Sequence, residues 1–219
     1  MEASNDPDAA LVAMCQAPDS DEFEAAFEAL YVRYRDRVYS IAYRITGTTA
    51  DALDVAQESF ALVFRKIGAF RGESLFSTWL YRIVVNCAID SKRQSGSALQ
   101  KRTGSLSAVD GPELQDEREN GPDDTAERRE LGDHVHDSIQ RLSPKLRAIL
   151  VLRYVEGLSY EELCVALDLS MGTVKSRMAR AHLALQDVLT GTLEPFGFVS
   201  GAPIPESGER RRKPGAGLS

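Results

Sequence analysis

Residues 159–190 read SYEELCVALDLSMGTVKSRMARAHLALQDVLT. Ser159 and Glu162 have the S-x-x-E spacing of a capping box, which satisfies the free N–H groups at a helix start. Leu163, Val165, Ala166 and Leu167 give that helix an apolar body, and Asp168-Leu169-Ser170 breaks it. Ser170 can cap a second helix, with Gly172 allowing close approach. In the second helix Val174 and Met178 share one face at i, i+4 spacing and should point inward. Lys175, Ser176, Ala179, Arg180 and His182 are left on the outer face, with Arg177 near its edge. Two short helices with a basic second face match a helix-turn-helix, whose second helix fits the major groove of duplex DNA. A plain helical hairpin with a solvated basic face is the alternative.

The net charge opposes that reading, and its distribution reconciles the two. The 219 residues carry a formal net charge of −7, a poor start for gripping a polyanion. Residues 1–30 contain eight acids and no Lys or Arg, and residues 110–133 contain ten acids against Arg118, Arg128 and Arg129. Cations gather elsewhere, at Arg82, Lys92, Arg93, Lys101 and Arg102, and again in the helix-turn-helix. Such a chain should bind free duplex weakly unless a larger partner offsets the repulsion.

Apolar residues make up 43% of the chain, enough for real cores in one or two domains. No strand-like alternation is sustained, so an all-α fold is expected: two small helical domains joined by a flexible acidic linker. Phe23, Phe27, Leu30, Tyr31, Tyr34, Val38, Ala42 and Ile45 predict a long amphipathic helix that ends at Thr46-Gly47-Thr48-Thr49. Leu53, Ala56, Phe60, Val63, Phe64 and Ile67 predict the buried stripe of the next. A break from Gly68 to Ser77 precedes a third helix, Thr78 to about Gln94, burying Trp79, Leu80, Ile83 and Cys87. These helices define a first domain over 23–94, preceded by an acidic extension over 1–22.

Residues 95–137 form the linker; most of the stretch is rich in Ser, Gly, Pro and acids, with almost no apolar pattern. Ser143-Pro144 reads as an N-cap followed by Pro at the first helical position, opening the main part of a second domain over 138–191. Residues 192–219 read as a disordered tail carrying the Arg210-Arg211-Arg212-Lys213 cluster, itself read as solvated.

Cys15, Cys87 and Cys164 are odd in number and far apart, which argues against both a disulfide framework and a C-x-x-C metal site. His134 and His136 lie in a charged stretch without a nearby cysteine, so no metal site and no cofactor are expected. No apolar run is long enough to span a bilayer, and MEASNDPDAA is acidic where a signal peptide starts basic. A cytoplasmic protein without membrane insertion is expected.

Two surfaces of the first domain exceed what a bundle needs. Asp54, Gln57, Glu58 and Ala61 form an outward stripe on the second helix, which a solvated face also explains. Arg82, Asn86 and Arg93 run along one flank of the third, where an amide and two guanidiniums can meet base edges and phosphates. Just before it, Phe70-Arg71-Gly72-Glu73-Ser74-Leu75-Phe76 combines aromatics with small polar residues, a composition able to hold an unstacked base.

In combination, DVAQESF (54–60), FRGESLFSTWLYRIVVNCAIDSKR (70–93), RLSPKLRAILVLRYVEGLSYEEL (141–163) and GTVKSRMARA (172–181) resemble the bacterial extracytoplasmic-function (ECF) sigma factors. The likeness covers about 125 of the 219 positions. It implies a protein that brings RNA polymerase to promoters. The stripe of Asp54, Gln57, Glu58 and Ala61 would dock on a coiled coil of the largest polymerase subunit. Arg82, Asn86 and Arg93 would meet the −10 element, with Asn86 reading the non-template strand, while the loop holding Arg71 and Ser74 captures a flipped base. Lys175, Ser176, Arg177, Ala179 and Arg180 would enter the −35 groove. The resemblance also implies an anti-sigma partner and an acidic linker running toward the RNA exit path. Ala179 departs from relatives that place an aromatic there.

Magnitudes agree that polymerase is needed. Opening DNA costs about 1.4 kcal/mol per base-pair step, whereas stacking one captured base returns about 1–3 kcal/mol. The polymerase cleft must supply the remainder. A regulator of the two-component type, acting through the helix-turn-helix alone, is the competing reading; residues 54–60 separate the two. No Ser/His/Asp set, phosphate-binding glycine loop or paired carboxylates support an enzyme.

Overall fold

The computed structural model describes residues 6–17, 22–101 and 136–193, with side chains placed to residue 94 in the middle segment and to residue 190 in the last. His134, nearly all of the expected linker and the Arg210–Lys213 cluster lie outside the described residues. The α-helices are here numbered α1 (Ala9–Cys15), α2 (Phe23–Thr46), α3 (Thr49–Lys66), α4 (Phe76–Lys101), α5 (Pro144–Leu150), α6 (Tyr160–Leu167) and α7 (Met171–Leu193), and residues 136–140 are also helical. No strand occurs among the described residues.

The long helix α2 buries Ala26, Leu30, Tyr34, Val38, Ile41, Ala42 and Ile45 along one stripe. Full burial of side chains such as Val38 and Ile41 contributes about 1.5–3 kcal/mol each. The helix ends at Gly47, whose φ of 87° is a left-handed conformation that glycine adopts freely, and its N–H donates to the Tyr43 carbonyl at 2.7 Å. Thr48 then caps α3, its hydroxyl accepting from Asp51 N at 3.2 Å.

The buried stripe of α3 is Ala52, Val55, Ser59 and Val63, so the sequence reading had the wrong phase at two positions. Leu53 and Phe64, expected inside, are 56% and 53% exposed. The true stripe is built of small residues, and Ser59 satisfies its hydroxyl by donating to Val55 O at 2.6 Å. Ranking residues by hydrophobicity alone passes over such a stripe. Phe64 instead packs edge-on to Phe23 and Phe27, at ring-centroid distances of 5.4 and 5.2 Å.

A single 3-10 turn, Ile67–Ala69, leads from α3 into the loop before α4. Helix α4 starts two residues before the expected Thr78 and runs past Gln94 to Lys101, into the stretch read as linker. It buries Phe76, Leu80, Tyr81, Val84, Val85, Cys87 and Ala88 against α2 and α3.

In the second half, Pro144 follows Ser143 at the start of α5, which continues as a π-helical turn, Val151–Val155. Ala148, Ile149, Leu150, Val151 and Leu152 are buried there. The two halves pack together and share one core. Tyr43 stacks on His136 with centroids 5.0 Å apart, and Gln140 donates to the Arg44 carbonyl at 3.3 Å. A Cβ at Gly47 would meet the Gln140 side-chain amide, which would have to swing aside and give up its present position. No helix among the described residues is long and apolar enough to cross a membrane.

Candidate nucleic-acid and polymerase interfaces

The helix-turn-helix is built as its residues require. Ser159 Oγ accepts from Glu162 N at 3.1 Å while Glu162 Oε2 accepts from Ser159 N at 2.7 Å, the full capping box. Helix α6 ends at Asp168, in a left-handed conformation with φ of 54°, and Leu169 N then donates to Cys164 O at 2.9 Å. Ser170 caps α7, its hydroxyl accepting from Thr173 N at 3.3 Å. Val174, Met178 and Ala181 are buried and fix how α7 is rolled.

That roll leaves Lys175, Ser176, Ala179 and Arg180 exposed on one face. Arg177 is half-buried at its edge; burial, then the neighbouring Arg180, lowers its guanidinium pKa. Lys175 and Arg180 make no ion pair among the described residues, which leaves both cations available to phosphate. His182, expected on the outer face, is half-buried and hydrogen-bonds the Tyr154 hydroxyl through Nε2 at 2.6 Å.

In the first half, Asp54, Gln57, Glu58 and Ala61 are all exposed along α3. Between α3 and α4 runs a groove of about 360 Å³, lined in part by Asp54, Glu58, Asn86 and Asp90. Asp54 and Glu58 of the α3 stripe therefore share a groove with Asn86, which is exposed; Gln57 and Ala61 lie outside its lining. Arg93 pairs with Asp90 at 3.6 Å, and Arg71 with Glu73 at 3.9 Å; all four side chains are largely exposed. Such pairs contribute about 0–1 kcal/mol and yield readily to a phosphate. Ser74 Oγ donates to the Leu75 carbonyl at 3.3 Å. Arg82 alone of these residues is engaged by the other half of the molecule, its Nη2 lying 3.1 Å from Asp168 Oδ2.

Helix α4 thus aligns Arg82, Asn86 and Arg93, whereas the α7 face stands apart on a different helix. Among the described residues no group of three or more His, Cys, Asp or Glu is placed to hold a metal ion. The sequence reading left residues 1–22 without a place, and 6–17 prove to be part of the first bundle. Asp6-Pro7-Asp8 ahead of Leu11, Val12 and Cys15 is the start signal and short apolar stripe that could have shown it.

Two family models match this chain: sigma-70 region 2 over residues 30–98 and sigma-70 region 4 over residues 133–185. The chain is 35% identical to RNA polymerase sigma-H factor of Pseudomonas aeruginosa over 168 residues, covering 75% of this chain and 86% of that protein. It is 37% identical to the ECF RNA polymerase sigma-E factor of Salmonella typhimurium over 171 residues, with the same coverage. Among solved structures, CnrH in complex with the cytosolic domain of CnrY is similar at a TM-score of 0.60 and 25% identity. That match covers 85% of this chain and 99% of CnrH. The sigma factor RpoE of Bartonella quintana, solved with the anti-sigma factor NepR, shares the fold at a TM-score of 0.59 and 22% identity. That match covers 75% of this chain and 96% of RpoE. Both family regions lie in order along one chain, with the helix-turn-helix in the second, so the chain belongs to the sigma-70 family as an ECF sigma factor, a protein that directs transcription initiation by RNA polymerase.

Proposed function

We propose a division of labour between the two helical halves of this sigma factor. The α3 stripe of Asp54, Gln57, Glu58 and Ala61 docks on a coiled coil of the largest polymerase subunit. Helix α4 meets the −10 element, with Asn86 reading the displaced non-template strand and Arg82 and Arg93 holding its phosphates. The loop from 70 to 76, with Arg71 and Ser74, captures one flipped base. Helix α7 enters the major groove at the −35 element, where Lys175 and Arg177 serve the backbone while Ser176, Ala179 and Arg180 face base edges.

One observation supports this reading most directly: Asp54 and Glu58 of the α3 stripe line the same groove as Asn86. A surface that grips polymerase beside one that reads an opened strand puts recognition next to the machine that pays for melting. The protein acts in the cytoplasm, where polymerase and promoter are, and is held in check by an anti-sigma factor that covers one or more of these surfaces. Core polymerase loaded with this chain should initiate from a defined subset of a promoter library in run-off transcription, while polymerase alone does not. Initiation unchanged by the chain would reject the reading.

A further inference from the structure

The loop from 70 to 76 is exposed at Arg71, Gly72 and Glu73 and carries only weak internal contacts, yet both of its feet are fixed. At the entry, Gln16 Nε2 donates to Phe70 O at 2.6 Å and to Ile67 O at 3.3 Å. At the exit, Asp6 Oδ2 accepts from Phe76 N at 2.7 Å, a cap on α4 supplied from 70 residues away. Asp6 Oδ1 also accepts from Asp8 N at 3.0 Å, which orients the carboxylate.

The segment making these bonds is itself firmly seated. Val12 and Cys15 are buried in the core. Asp8, 1% exposed, accepts from Arg33 and from the Tyr34 hydroxyl. The Tyr34 ring in turn meets the Phe76 ring edge-on, with centroids 5.6 Å apart. Phe70 and Phe76 close the base of the loop against each other at 6.1 Å. Beyond that ring contact the loop has only the Arg71–Glu73 pair and the Ser74–Leu75 bond of its own, and Gly72 turns its middle at a left-handed φ of 68°.

We propose that residues 6–17 are a positioning strap that sets the aperture of the base-capturing loop, with Asp6 and Gln16 as its two positioning residues. The proposal rests on the −10 role given to that loop above. A loop whose feet are pinned is preorganised, so less of the stacking energy of a captured base is spent on ordering it. The strap then tunes which bases are accepted and how readily the duplex opens, without touching DNA.

The test uses the full-length chain, alone and in reconstituted holoenzyme. Asp6→Ala and Gln16→Met each delete one brace, while Asp6→Asn keeps an acceptor oxygen for Phe76 N–H. In the free chain, amide hydrogen exchange across 70–76 should rise about 10-fold or more in Asp6→Ala and return most of the way in Asp6→Asn. In holoenzyme, open-complex formation is compared across the four bases at the captured −10 position. The double variant should lose at least about 5-fold of the base preference while polymerase affinity stays within about 2-fold. Preference unchanged in the strap variants but altered by Arg71→Ala or Ser74→Ala would overturn the strap and leave the −10 reading standing. Preference unchanged in the loop variants too would bring down the −10 reading, and the strap's role with it. Parallel loss of preference and polymerase affinity would mark a general folding defect and likewise overturn the proposal.

Discussion

Arg82 Nη2 lies 3.1 Å from Asp168 Oδ2, so a cation on the helix assigned to the −10 element is held by the residue that ends the first helix of the helix-turn-helix. The two halves cannot both engage a promoter in this arrangement. Elements centred near −10 and −35 stand about 85 Å apart along B-DNA at 3.4 Å per base pair, whereas α4 and α6 touch. The packed form is a closed one, and loading on polymerase must separate its halves. Inter-half distance measured with a donor–acceptor pair on α4 and α7 should lengthen when core polymerase is added.

Asp168→Asn tests the tether itself. Asparagine tolerates the left-handed φ of 54° at this position, so the turn survives while the charge is removed. The side chains are 43% and 76% exposed, so screening keeps the pair weak, at about 0.2–1 kcal/mol. Duplex affinity of the free chain for a −35 site should rise by about 1.5- to 5-fold. A double-mutant cycle with Arg82→Ala separates the tether from the simple loss of a negative charge near DNA, and a coupling of zero would show the pair to be inert.

Polymerase binding should reside in the α3 stripe. Asp54→Ala together with Gln57→Ala should weaken core-polymerase association by more than about 10-fold, as expected of groups at the centre of an interface. Both are exposed, so the midpoint of thermal unfolding should move little. Unchanged co-migration with polymerase would favour the regulator reading, in which the helix-turn-helix acts by itself.

Asn86→Ala and Arg180→Ala should fail in different ways. The first should reduce open-complex formation at the −10 element by about 10- to 100-fold, the equivalent of about 1–3 kcal/mol for a base-edge contact, with polymerase affinity intact. The second should relax −35 preference and flatten the salt dependence of binding by about one phosphate contact if the guanidinium also reaches the backbone. An unaltered promoter spectrum in Arg180→Ala would mean that α7 faces elsewhere.

Arg147 on α5 is 3% exposed, and its Nε and Nη1 have no hydrogen-bond partner among the described residues. Burial lowers its pKa, yet a guanidinium stays charged at any workable pH, so the penalty is paid throughout. Arg147→Met keeps the stem and deletes the unsatisfied donors, and should stabilise the fold by about 1–3 kcal/mol. The urea midpoint should rise at constant slope; a fall would reveal a partner supplied in solution.

Burial raises the phenol pKa of Tyr81, beside Glu156, and that of Tyr34, beside Asp8. A raised folded-state pKa gives stability that is complete below the unfolded phenol value of about 10 and is lost as pH climbs beyond it. Urea midpoints should therefore be insensitive to these two groups near neutrality and fall above about pH 10. A midpoint that holds steady well into alkali would contradict the burial of both rings.

Local signals were legible in the chain, and long-range ones were not. The capping box at Ser159 and Glu162, the stop at Gly47 and the inward pair Val174 and Met178 all act within one or two helical turns, where spacing suffices. The phase of α3 was lost because Ala52 and Ser59 are small and carry little hydrophobic signal, while Leu53 and Phe64 carry much and sit outside. Asp6 with Phe76, and Arg82 with Asp168, lie 70 and 86 positions apart, and nothing local to either partner names the other. The exposed site residues read well because a polar stripe on an amphipathic helix is the complement of its buried one. His182 was misplaced because its partner, Tyr154, lies on the π-helical turn after α5, 28 positions away.

Trp79 is the chain's one tryptophan, and its half-buried indole sits 5.1 Å from the Phe70 ring and 5.9 Å from that of Phe76. Its emission therefore reports the wetness of that aromatic nest without any dye, label or engineered reporter. A nucleobase entering beside it, as when a single-stranded −10 oligonucleotide is added to the free chain, would quench or shift that emission.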